Sequence, residues 1–137
     1  MYYTSLKQSK KLVELGLKPE TADMSYNFDD GNYYINTGPY SGWVVPKWSN
    51  PNLVLPCWSV SALMELLPPH LFEFERGIDL NIYRNLNGKG WHVSYMPNNI
   101  ENMKKDKFRQ ISNGDTPIEA VYNMIVWLLE NNYIKKN

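Results

Sequence analysis

Cys57, His70 and His92 are the side chains of this sequence best suited to nucleophilic chemistry, because a thiol becomes a thiolate at neutral pH only beside a base such as imidazole. Their surroundings argue against that chemistry. Cys57 lies in Leu55-Pro56-Cys57-Trp58, an apolar context that raises a thiol's pKa, and neither histidine sits in a motif with an acidic orienting residue. A buried, inert thiol is the expectation at Cys57. His92 falls on the outward face of a predicted hairpin, where a solvated histidine is expected. No catalytic residue is assigned.

Metal binding and acid–base chemistry find equally little purchase. The two histidines lack the close pairing that lets one helix or hairpin present two ligands, and the adjacent Asp29 and Asp30 point apart on any extended backbone, so no metal site and no cofactor are expected. Glu73 and Glu75 share a face of a possible strand, with Glu65 nearby in sequence and His92 on the hairpin. A groove built from them would suit a small hydrolase-like enzyme, although exposed edge-strand glutamates are the plainer reading. Asn87-Gly88-Lys89-Gly90 has a phosphate-loop flavour but sits in a hairpin turn without the full Walker spacing.

Two sets of residues could instead bind something. Lys104, Lys105, Lys107 and Arg109, with Phe108 among them, could contact phosphates as a weak nucleic-acid binder does, though a solvated charged loop explains them as well. Tyr40, Trp43, Trp48 and Trp58 lie among Gly, Ser and Pro, a setting in which tryptophans line a groove for a partner or cap a small core. Trp127 joins them as a binding candidate from the closing helix.

The elements that must carry these residues are marked by their ends. Thr116, Pro117 and Glu119 open a helix over residues 117–131 with a capping box and a proline at the first position, and Ile118, Val121, Tyr122, Ile125, Leu128 and Leu129 share one face, widened by Ala120 and Met124. Glu119, Asn123 and Glu130 form its polar stripe, flanked by Val126 and Trp127. If those two stay exposed, the helix becomes a self-association surface. Ser5 and Gln8 cap a first helix (5–15) that Gly16 and Pro19 end, with Lys7, Lys10 and Lys11 toward solvent. Ser59 or Ser61 caps a second (59–67), which Pro68-Pro69 ends.

Strands fill the remainder. Asp30-Gly31 turns a loose hairpin whose second arm is Tyr33 to Asn36, and Trp43 to Val45 is a short extended piece. Ile78, Leu80 and Ile82, then Trp91, Val93 and Tyr95, alternate with polar partners around an Asn-Gly turn, the firmest hairpin cue in the chain. Phe72 to Glu75 offers one more strand. Residues 97–114 read as a frayed helical turn or a mobile loop. The fold class is therefore α+β: a small antiparallel sheet (hairpin about residues 78–96) packed against the C-terminal helix, flanked by the first two helices, in a single domain spanning 1–137.

Composition bounds the setting. At 137 residues, 14 basic side chains cancel 14 acidic ones, so no global charge favours nucleic acid or an anionic membrane. The lone cysteine and the absence of a signal-peptide pattern in MYYTSLKQSKK fit a cytoplasmic protein. No apolar run approaches the roughly 20 residues that span a bilayer.

Several of these segments together resemble a group of short bacterial phage and prophage proteins. The resemblance rests on Asp115-Thr116-Pro117-Ile118-Glu119-Ala120 running into Trp127-Leu128-Leu129-Glu130-Asn131, on Trp91-His92-Val93-Ser94-Tyr95, on Trp58 to Leu63, and on Gln8 to Leu12 with Thr21 to Met24. It covers about half of the chain and consists of caps and core positions, so it implies a phage-type accessory protein with no assigned activity or functional residue. The expected function is non-enzymatic binding of a protein partner or of a second copy.

Overall fold

A computed structural model describes residues 1–29, 32–36, 54–71, 78–97 and 110–136. These form three α-helices, α1 (Leu6–Glu14), α2 (Val60–Leu66) and α3 (Pro117–Glu130), and six strands. The strands are β1 (Met24–Asp29), β2 (Asn32–Asn36), β3 (Val54–Cys57), β4 (Ile78–Arg84), β5 (Trp91–Pro97) and β6 (Gln110–Gly114). They make two antiparallel sheets, ordered β2-β1-β3 and β4-β5-β6. The α+β architecture and the packing of the closing helix on the β4–β5 hairpin are as the sequence predicts. Among the described residues, no helix is long and apolar enough to cross a membrane.

Local chemistry sets the helix ends. Ser5 and Gln8 complete their capping box, each side chain accepting the other's backbone N–H. At the far end Gly16 adopts φ +94°, Leu17 N–H donates to the Leu12 carbonyl at 2.9 Å and Gly16 N–H to that of Val13 at 3.0 Å, the paired bonds of a Schellman motif. The closing helix ends the same way with Asn132 at φ 62°, its N–H reaching Leu129 and the Tyr133 N–H reaching Leu128. At its start the Thr116 hydroxyl accepts the Glu119 N–H, while Glu119 reaches the N–H of Asp115, one residue earlier than a strict capping box.

The first sheet is set by its strand register and by one proline. Residues on either side of Asp30-Gly31 pair from Asp29↔Asn32 to Ser25↔Asn36. Pro56, which cannot donate to a ladder, lies on the edge strand β3 opposite Ser25. Met24, Tyr26, Leu55 and Cys57 form a small core here, and Val13 of α1 packs against both this cluster and the main one.

The main core lies between the second sheet and α3. Val93 and Tyr95 from the central strand β5 meet Ile118, Val121, Ile125, Leu128 and Leu129, with Leu12, Trp58 and Leu63 completing it. Strand β6 corrects the loop expected to reach Gly114. It is apolar only at Ile111, but its backbone completes the ladder of β5 from Tyr95↔Gln110 to Trp91↔Gly114, which needs no apolar side chains. Gly114 then lets β6 meet the start of α3, since a Cβ there would come within 2.5 Å of the Ala120 nitrogen.

Candidate functional site

A half-enclosed recess of about 260 Å³ opens where α2, the β4–β5 hairpin and the first turns of α3 meet. Val60 and Met64 come from α2, Ile82, Trp91 and Val93 from the sheet, and Pro117, Ala120 and Val121 from α3. Each element supplies them for a local reason. Period-two alternation puts Trp91 and Val93 on the face that packs on α3, and the Pro117 start of α3 brings Ala120 and Val121 onto the same wall. All eight lining side chains are apolar, so no titratable group faces the space and nothing in it holds water. Met64, 43% exposed, stands at the surface end.

Size decides what such a recess can take. Small-molecule pockets run from about 300 to 1,000 Å³, whereas an apolar cavity of ~150 Å³ accepts benzene. This space suits one bulky apolar side chain better than a drug-sized ligand. It offers burial and shape, and no acid, base or nucleophile. Sequence reading missed it because no single segment carries it; the small Ala120 on an otherwise bulky helix face was the available signal.

The predicted binding residues disperse. Tyr40, Trp43 and Trp48 lie outside the described residues, as do Glu73, Glu75, the 104–109 cluster and the extended pieces expected at 43–45 and 72–75. Trp58 is fully buried and presents nothing to a partner; its indole N–H donates to Thr21 Oγ1 at 2.9 Å and its backbone N–H to Thr4 Oγ1 at 3.1 Å. It is the core-capping tryptophan of the two alternatives. Trp127 is half-buried, stacked on Tyr133 at 5.4 Å, and packs with the half-buried Val126 against the main core.

His92 is a correction. It is 7% exposed, not solvated, because it stands on the central strand between Tyr83 and Asn113, with the Tyr83 ring stacked at 4.3 Å. Burial lowers its pKa below the ordinary 6.5, opposed by a hydrogen bond with Asn113. Among the described residues its Nε2 and the neighbouring Ser94 Oγ have no hydrogen-bond partner. The two alternate on one strand face and do not meet as a nucleophile–base pair.

Cys57 is fully buried, its thiol donating to the Thr4 carbonyl at 3.4 Å, and desolvation pushes its pKa up to about 11. Burial likewise raises Tyr26, whose hydroxyl also donates to the Thr4 carbonyl, and Tyr95. Lys7, Lys10 and Lys11 line an open groove beside Glu14 and Tyr122, on the solvent side predicted for them. Among the described residues no three His, Cys, Asp or Glu side chains converge to hold a metal. No known family model, curated relative or solved structure matches the chain.

Proposed function

We propose that the chain is a small non-enzymatic binding protein that works through protein contacts, of the accessory kind implied by its resemblance to phage and prophage proteins. The observation that carries this reading is the recess between α2, the hairpin and α3, whose walls are apolar throughout and whose volume fits one anchoring side chain. Burying such an anchor contributes about 1.5–3 kcal/mol, the scale of a binding hot spot. The catalytic alternative gains no support from His92, which is buried beneath Tyr83.

Selection from a displayed peptide library, followed by titration of the enriched peptides, tests the proposal. Enriched peptides share an apolar anchor, and Met64→Lys, which places a charge at the recess mouth, weakens them about tenfold or more. Failure to enrich any such peptide, or equal binding to Met64→Lys, would sink it.

A further inference from the structure

We infer that the open groove between α1 and α3 binds a nucleoside monophosphate, its phosphate held by Lys7 and Lys11 and its base laid on the ring of Tyr122. This groove shares no residue with the apolar recess, so the two sites stand or fall separately.

The groove spans about 510 Å³, within the range of about 300–1,000 Å³ that small-molecule sites take. Lys7, Lys10, Lys11 and Glu14 stand at i, i+3, i+4 and i+7 on α1 and share one helix face, opposite the buried Ser9 and Leu12. Tyr122, half-buried on α3, supplies the other wall.

Three ammonium groups meet one carboxylate there, and none of the three has an ion-pair partner among the described residues. Their placement is unfavourable for the helix alone. Lys7 and Lys11 repel as like charges at i, i+4, and Lys7 lies in a first turn that holds no acidic residue, where the helix dipole is itself positive. A bound anion relieves both. Lys10 is engaged elsewhere, with its Nζ 5.8 Å from the centre of the Tyr33 ring. Lys7 and Lys11, whose Cβ atoms stand about 5–6 Å apart at that spacing, are the pair that closes on one phosphate.

Charge and surface select the ligand. A phosphate monoester carries about −1.5 to −2 at neutral pH, which matches three lysines set against one glutamate. Burial, and then Glu130, raise the pKa of Tyr122, so the ring keeps its hydroxyl proton and adds no negative charge. One aromatic face serves one base. Glu14, at the other end of the stripe from Lys7, offers an acceptor to an amino group on that base. An apolar peptide would need several anchoring contacts along the groove, and Tyr122 is the one uncharged side chain among its described lining residues.

Isothermal titration calorimetry of the full chain with adenosine 5′-monophosphate at low salt tests this. One nucleotide binds per chain, with a dissociation constant between about 10 μM and 1 mM that rises with added salt. Inorganic phosphate and adenosine each bind about tenfold or more weakly. The double variant Lys7→Gln/Lys11→Gln removes a repulsion, so it keeps the wild-type melting temperature while losing about tenfold or more in affinity. Tyr122→Leu brings the affinity for the nucleotide down to that for inorganic phosphate, and Lys89→Gln, outside the groove, changes nothing. No binding at about 10 mM nucleotide, equal binding of inorganic phosphate, or an unaffected double variant would overturn the inference. Tighter binding of polyglutamate would also overturn it, by making the groove a surface for an acidic protein. An oligonucleotide whose affinity grows with its length would do the same, by putting a strand there.

Discussion

The indole N–H of Trp58 donates to the Thr21 hydroxyl at 2.9 Å, tying the β3–α2 junction to the short 3-10 helix Pro19–Thr21 that follows α1. Since the Trp58 ring is fully buried, this bond and the packing around it act together. Trp58→Phe removes the donor and leaves space beside Thr21. Urea unfolding is expected to show a loss of about 1–3 kcal/mol. Among the described tryptophans Trp58 is the most buried, so acrylamide-protected emission should fall in the same variant.

Cys57 supplies a prediction on the alkaline side. Its folded pKa of about 11 lies above the ordinary 9.0, so the neutral thiol is favoured in the native state. Stability from this group is fully present below pH 9 and is lost as pH rises toward 11, because the unfolded chain gives up its proton first. Chemical denaturation across that window should show the decline, and Cys57→Ala should flatten part of it, while Tyr26, Tyr95 and Tyr122, all raised by burial, keep a remainder. At neutral pH the native thiol should resist alkylation and react only after unfolding.

His92 acts on the acid side with the opposite sign. Its folded pKa is depressed, so its contribution is present above pH 6.5 and is lost as pH falls through the lower folded value. His92→Phe keeps a ring under Tyr83 and removes the unpartnered Nε2. Thermal melts should find this variant as stable as the wild type or about 1 kcal/mol more stable at neutral pH, with a weaker acid slope. A destabilised variant would mean that Nε2 has a partner in solution.

Gly114 tests the contact that seats β6 on α3. A methyl group there meets the Ala120 nitrogen at 2.5 Å and the Glu119 Cβ at 2.6 Å, and neither atom belongs to a flexible chain end. Gly114→Ala should cost about 1–3 kcal/mol by denaturant unfolding. It should also loosen the recess wall at Ala120 and Val121, visible as shifted methyl resonances of those residues.

What the sequence determined by itself is local. Ser5 with Gln8, Thr116 with Pro117, Gly16 before Leu17, and the Asn-Gly turn between two alternating runs each place an element end through hydrogen bonds spanning a few residues. Such signals survive without knowledge of the rest of the chain. Tertiary structure alone decided what the elements enclose. β6 exists because β5 has a free edge, and its own side chains carry little strand signal. His92 and Ser94 are buried although they alternate with the core-facing Trp91, Val93 and Tyr95, and at His92 the Tyr83 ring from the neighbouring strand supplies cover that alternation along β5 cannot reveal. The recess, assembled from three elements that contribute side chains from Val60 to Val121, has no linear signature. Leu86 is legible in the sequence as a leucine in a turn, and the fold leaves it fully exposed at the hairpin tip.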